Sequence, residues 1–152
     1  MAGKKIAFII LLFVSSFVVN GLAQTNADQI ELNYIKKFFT RLKSEKIDAK
    51  EELRWTYTYT DTIEANLTKL AAIFVRENLK IEGIERSTKP NNKYYVLHAS
   101  EVKQHTPESL QARMHILNQL ADLYGIMYHD AQFGAENIKK VKNVDSYKKV
   151  RG

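Results

Sequence analysis

The chain has 152 residues and no cysteine, which excludes disulfide scaffolds, thiolate nucleophiles and cysteine-linked lipid anchors. Its formal net charge is +6, but the excess lies near the two ends, at Lys4 and Lys5 and in the basic stretch 137–152. Residues 24–136 hold 15 basic and 16 acidic side chains, so the body of the chain supplies little general attraction for the phosphates of a nucleic acid.

Residues 1–23 show the three parts of a cleaved secretory signal peptide. Lys4 and Lys5 precede an apolar run over residues 6–19, and small residues lead to Ala23. The run is shorter than the roughly 20 apolar residues that a membrane-spanning helix needs. We predict cleavage after Ala23, export to the periplasm or the medium, and a mature product without a stable membrane anchor.

Residues 24–50 predict an amphipathic helix. Its apolar side chains recur mostly every three or four positions with charged residues between them; they are Ile30, Tyr34, Ile35, Phe38, Phe39 and Leu42. The two further helices predicted below cover only one face of a sheet. We therefore expect this N-terminal helix to fold over the other face and to bury Phe38 and Phe39 there.

A strand is predicted from Arg54 to Thr60, where aromatic residues and threonines alternate with a period of two. Asp61 follows and is expected to cap a helix, while Glu64, three residues on, reaches back to the exposed N–H groups. The apolar spacing of that helix ends near Asn78.

Two short strands joined by a turn come next. The first covers residues 79–87 and contains Gly83, which indicates a bulge. The second covers residues 94–99, and the composition of residues 89–92 is typical of a turn between them. These two strands are therefore expected to form a β-hairpin.

The last helix has clear signals at both ends. Thr106, Pro107 and Glu108 combine a hydroxyl N-cap, a proline at the first helical position and an acid facing the helix dipole. Gly125 stands where a left-handed residue ends a helix. Ile126 then begins the final strand.

The order after the first helix is strand, helix, strand, strand, helix, strand. This order is typical of the split β-α-β pattern. We predict an α+β fold, a ferredoxin-like two-layer sandwich over residues 51–136, with an extra helix in residues 24–50 and a basic C-terminal tail in residues 137–152.

Several short motifs resemble those of a known family. They are the aromatic strand at Trp55, the helix led by Asp61, the helix start at Thr106, the Leu120-Ala121 pair before Gly125, and a segment with Tyr128, Asp130, Ala131, Phe133 and Gly134. In this combination, residues 54–136 resemble the family of the B-type regulator of ribonuclease E activity, also called the ribonuclease E inhibitor family. In that family a tyrosine-aspartate-glycine-tryptophan signature follows the last helix, and Phe133 stands in place of the tryptophan here.

The resemblance implies a ferredoxin-like protein that has no enzymatic activity and works by binding another protein. In the named members that partner is an RNA-degrading endonuclease inside the cell. The predicted export places this chain in another compartment. We therefore carry over the fold and the class of binding module, and leave open the identity of the protein partner and the oligomeric state.

No catalytic or metal-binding pattern is evident in the sequence. His98, His105, His115 and His129 fall on different predicted elements without the paired spacing of a zinc site. No spacing brings two carboxylates together for acid–base catalysis, and no phosphate-binding loop or serine nucleophile motif occurs. We expect no enzymatic activity, no cofactor and no metal.

The candidate binding residues belong to the aromatic strand, the signature segment and the basic tail. They are Trp55, Tyr57, Tyr59, Tyr128, Asp130, Phe133, Lys139, Lys140 and Lys142. The alternative to a protein partner is a nucleic acid or another polyanion, with bases stacked on the aromatic strand and phosphates attracted by the tail. We do not expect nucleic acid, because residues 94–99 lack the aromatic-glycine-aromatic run of the RNA-recognition module.

Overall fold

The computed structural model describes residues 25–88, 93–126 and 128–138, with residues 128–132 described by their backbone alone. The predicted signal peptide, the predicted turn at residues 89–92 and the lysines of the basic tail lie outside these ranges. No helix within the described ranges combines the length and the apolar character that crossing a membrane requires.

The described ranges contain three helices and four strands. In order they are α1 (residues 25–44), β1 (Leu53–Asp61), α2 (Glu64–Arg76), β2 (Lys80–Arg86), β3 (Tyr95–Lys103), α3 (Pro107–Leu123) and β4 (Tyr128–Asn137). The strands form one sheet in the order β2-β3-β1-β4, and every neighbouring pair is antiparallel. The predicted α+β two-layer architecture is confirmed.

Strand β1 is central and carries the largest side chains of the core. Trp55, Tyr57 and Tyr59 are 0%, 2% and 0% exposed, whereas the threonines between them are only half-buried. The period of two in the sequence therefore separates a core face from a second face of the sheet, as predicted.

Helix α1 lies on the core face of the sheet, so the prediction that it covers the other face is wrong. The ring of Phe39 stacks on Trp55 at a centroid distance of 5.7 Å, and Phe38 lies 6.3 Å from the same indole. On that face, Tyr59 meets Phe74 of α2 at 5.1 Å. All three helices consequently share one side of the sheet.

The position of α1 is set by aromatic side chains on the core face of β1 and β4. Helix α2 contacts β1, β2 and β3, and α3 contacts β4; the core side of β4 also presents Phe133, which lies 4.9 Å from Phe38 of α1. The apolar stripe of α1 buries more apolar surface against Phe133 and its neighbours than it could against the threonines of the opposite face, and this burial is stabilising. Only part of the predicted apolar stripe is buried, since Ile30 and Tyr34 are 71% and 65% exposed.

The start of α2 differs from the predicted cap. Asp61 is the last residue of β1 and not the N-cap, which is Ile63. The Asp61 carboxylate still accepts a hydrogen bond from the backbone N–H of Ile63 at 2.8 Å and another from the Asn66 amide at 3.2 Å. Asp61 thus orders the turn into the helix. Its side-chain partner in this turn is Asn66 and not the predicted Glu64.

Several other predicted boundaries differ by a few residues: α1 covers residues 25–44 of the predicted 24–50, and β4 begins at Tyr128 and not at Ile126. The register of β2 against β3 shifts between Ile81 and Gly83, which confirms the bulge. Thr106 caps α3 in a reciprocal pair with Ser109. Strand β3 runs on to Lys103, four residues beyond the predicted end.

Gly125 ends α3 in the left-handed conformation, with φ +66°, as predicted. An alanine there meets no atom within 4 Å, so its cost is confined to the backbone. We expect Gly125→Ala to lower the free energy of unfolding by about 1 kcal/mol, and Gly125→Asn to lower it less, because asparagine tolerates this conformation better. Urea unfolding measures both, and equal stability of the alanine variant and the wild type would contradict the assignment.

Candidate binding surface

No helix of the described ranges covers the second face of the sheet, which we call the open face. On β1, β3 and β4 its residues alternate with the core residues and lie opposite one another in the strand register. On β2 the bulge interrupts the register, and Glu82 is placed on this face by its contact with Arg54. The residues of the open face are Arg54, Thr56, Thr58 and Thr60 of β1, Val96, His98, Ser100 and Val102 of β3, Lys80 and Glu82 of β2, and Gly134 and Glu136 of β4.

One arginine connects the strands across this face. Arg54 Nη2 lies 2.7 Å from Glu82 Oε1, and Arg54 Nη1 lies 2.7 Å from Glu136 Oε1. Glu82 also accepts a hydrogen bond of 2.6 Å from the Ser100 hydroxyl and lies 3.1 Å from Lys80 Nζ. These contacts join residues of all four strands into one network.

The network sets the ionisation of Glu82. The hydrogen bond from Ser100, together with those from Arg54 and Lys80 and the charge of Arg54, lowers the pKa of Glu82 to about 2 despite partial burial. The Arg54 and Glu82 side chains are each 24% exposed. Glu82 is therefore a fixed anion at neutral pH, and its charge is largely balanced by its neighbours.

Gly134 keeps the surface flat where β1 and β4 meet. A Cβ atom at this position would lie 2.9 Å from Oγ1 of Thr56, closer than side chains normally approach. The glycine lets the threonine side chain occupy the space above β4. Together with Thr58 and Thr60, Thr56 gives the centre of the open face short, uncharged side chains with hydroxyl groups.

A second polar cluster lies on the core side and is closed to a partner. The Glu101 carboxylate accepts hydrogen bonds from the Tyr57 hydroxyl at 2.8 Å and from Arg113 Nε at 3.1 Å. Arg113 also donates to the backbone carbonyl of Glu77 at 2.8 Å, and His105 Nε2 lies 3.5 Å from Glu101. The cluster ties α3 to β3 and to the end of α2, so its function is structural.

The predicted site residues are not brought together. Trp55, Tyr57 and Tyr59 lie in the core and cannot form an exposed stacking surface, so placing them on a binding surface is wrong. Phe133 is partly buried and packs against the core. Tyr128 and Asp130 belong to β4, where only the backbone is described.

The remaining predicted residues, Lys139, Lys140 and Lys142, lie outside the described ranges. What the sequence prediction missed is the open face itself. Its signal was present in Thr56, Thr58 and Thr60, which mark the face of β1 opposite the aromatic residues. The partners of Arg54 come from strands β2 and β4, far away in sequence, and no local pattern indicates them.

Three structural features bear on the class of protein to which this chain belongs. A small α+β domain has three helices on one face of an antiparallel sheet, a flat polar face on the other, and its buried ionisable cluster engaged in structural contacts. A fold of this kind hosts many functions, so the role of the chain has to be argued from its surface and its family. The chain belongs to the family described as Regulator of ribonuclease activity B, whose model matches residues 33–130.

The match begins within α1 and ends within β4, so it includes most of the first helix as well as the sheet and its two other helices. A search of the curated proteins finds no match. Membership of this family indicates a regulatory role exercised on another protein, which agrees with the resemblance noted from the sequence motifs.

Proposed function

We propose that this protein is an exported regulatory module that binds a protein partner through the open face and has no enzymatic activity. The observation that carries the proposal is a polar sheet face that no described helix covers, in a chain whose family acts as a regulator. Protein-binding surfaces combine apolar contacts with hydrogen-bonding groups, and the open face supplies both, with the exposed Val102 and the threonine hydroxyls.

The chemistry of the face favours a protein over a nucleic acid. Base stacking needs exposed aromatic rings, and the rings of β1 are in the core. Phosphate binding needs cations that are free to pair, whereas Arg54 is held between Glu82 and Glu136. The proposal therefore includes no nucleic-acid partner and no cofactor.

The ionisation of the face supports a non-enzymatic role. General acid–base catalysis works best with a pKa near the operating pH. The pKa of Glu82 is about 2, so this carboxylate is far from a state in which it exchanges protons at neutral pH. Glu136 is engaged by the same guanidinium.

Export is the part of the proposal that rests on the order of residues 1–23. The family name describes regulation of a ribonuclease, and export would give this chain a partner of the envelope instead. Fractionation of cells producing the full chain tests the point. Processed protein in the periplasmic fraction is expected, and unprocessed protein in the cytosol would overturn this part of the proposal.

The binding function is tested by affinity capture with the chain from Gln24 to Gly152. Thr58→Lys places a long cation at the centre of the open face, and Gln119→Lys places the same side chain on the exposed side of α3 as a matched control. We expect both variants to keep the wild-type melting temperature, and Thr58→Lys alone to lose at least tenfold of the recovered partner. Equal recovery by the two variants would contradict the use of this face.

A further inference from the structure

Helices α1 and α3 meet at a polar cluster that is separate from the open face. Asp28 and Glu31 lie three residues apart on α1, and Gln111 and His115 lie four apart on α3, so each pair projects from one side of its helix. His115 Nε2 is 2.6 Å from Glu31 Oε2 and 3.9 Å from Asp28 Oδ1. One imidazole nitrogen and two carboxylate oxygens thus converge between the helices.

We propose that Asp28, Glu31 and His115 form a binding site for a divalent transition metal, with Zn²⁺ as the ion that fits best. Their ligand atoms all lie within 4.8 Å of one another. Around a tetrahedral zinc with bonds of about 2.0–2.2 Å, ligand atoms are about 3.3–3.6 Å apart. The separations of 2.6 and 3.9 Å between His115 Nε2 and the two carboxylates lie on either side of that spacing, so rotations of the side chains can bring the ligand atoms to it.

The ligand set selects the class of ion. An imidazole nitrogen suits zinc and its neighbours in the first transition row, whereas calcium and magnesium prefer sites made of oxygen atoms alone. Asp28 and His115 are each 40% exposed and Glu31 is 29% exposed. This exposure leaves space for a water molecule as the fourth ligand, as in other zinc sites with three protein ligands.

Gln111 gives the site a supporting contact. Its amide donates a hydrogen bond of 3.1 Å to Glu31 Oε2 and another of 2.7 Å to the backbone carbonyl of Asp28. Such outer contacts orient metal-binding carboxylates and strengthen binding. The same amide holds the start of α1 against α3, so the two helices present their ligands from a defined separation.

The bound ion would fasten the beginning of α1 to α3. Asp28 and Glu31 precede the range 33–130 that matches the family model, so two of the three ligands come from a part of the chain outside that match. The spacing in the sequence did not indicate this site, because the histidine and the carboxylates are more than 80 positions apart and meet only through the packing of α1 on α3.

The test titrates the chain from Gln24 to Gly152 with Zn²⁺ in a calorimeter and with Co²⁺ by visible absorption, which reports the coordination geometry. We expect one equivalent to bind and at least a tenfold loss of affinity in His115→Gln and in Asp28→Asn. His98→Gln, on the open face opposite Thr58, is the matched control and is expected to bind Zn²⁺ as the wild type does.

A thermal measurement separates a metal site from a plain ion pair. Zn²⁺ is expected to raise the melting temperature of the wild type relative to chelator, and His115→Gln is expected to abolish that increase. Two results would overturn the proposal: wild-type affinity in His115→Gln, or a melting temperature that Zn²⁺ does not change in the wild type. Neither result bears on the open face, which contains none of these residues.

Discussion

Replacement of Arg113 by methionine is expected to lower the free energy of unfolding by about 3–5 kcal/mol, the range for breaking a buried ion pair from one side. The side chains of Arg113 and Glu101 are only 12% and 9% exposed. The guanidinium makes contacts at 3.1 Å to both oxygens of the Glu101 carboxylate. Methionine fills the space but leaves the carboxylate buried without its cation.

The matched control removes both charges. The double variant Glu101→Gln with Arg113→Met keeps the volume and leaves no buried ion, so it is expected to recover part of the stability lost by Arg113→Met alone. Urea unfolding of the wild type, the two single variants and the double variant measures the coupling. A loss below about 1 kcal/mol in Arg113→Met, typical of exposed pairs, would show that the pair is solvated.

The same pair predicts a dependence of stability on pH. Burial alone would raise the pKa of Glu101, but the nearby His105 ring, the hydrogen bonds from Arg113 and Tyr57, and the charge of Arg113 lower it to about 2 from the usual 4.5. The unfolded chain takes up the proton first as the pH falls. The contribution is therefore complete above about pH 4.5 and is lost toward pH 2. In Arg113→Met, this part of the acid sensitivity is expected to shrink.

Trp55→Ala is expected to lower the free energy of unfolding by about 3–5 kcal/mol, the range for removing a fully buried aromatic side chain. The indole is fully buried and lies under α1, with Phe39 at 5.7 Å on one side and His105 at 5.3 Å on another. Its Nε1–H also donates a hydrogen bond of 2.9 Å to the carbonyl of Lys103. The variant loses packing and leaves that carbonyl without this donor.

Hydrogen exchange locates the effect of Trp55→Ala within the fold. Because the indole supports α1, amides of residues 33–44 are expected to lose more protection than those of α2. Thr56→Ala is the control, since its side chain lies on the open face and its stability change is expected to stay within about 1 kcal/mol. Equal loss of protection in the two helices would show that α1 does not depend on this contact.

The elements of the fold were predictable wherever their signals are local. The alternation around Trp55, the cap at Thr106 and the turn at Gly125 each depend on neighbours within a few residues, and the structure confirms all three. The extension of β3 was not predictable. A charged residue such as Glu101 indicates the end of a buried strand, and its ion-pair partner Arg113 on α3 is known only from the structure.

The position of α1 and the composition of the candidate surface needed the tertiary structure. The spacing of Phe38 and Phe39 shows that one side of the helix is apolar but says nothing about which surface receives it. The three aromatic residues of β1 were candidates for binding because aromatic side chains serve both in cores and at interfaces. Only the packing of α1 on Trp55 distinguishes these two uses.

Arg54 lies on the central strand β1, and its guanidinium forms ion pairs with carboxylates of both edge strands, Glu82 on β2 and Glu136 on β4. These two ion pairs connect the edge strands β2 and β4 through the central strand β1, so a displacement of one edge strand is resisted by the other. A surface that these contacts already hold in one arrangement loses less conformational entropy when another molecule binds to it.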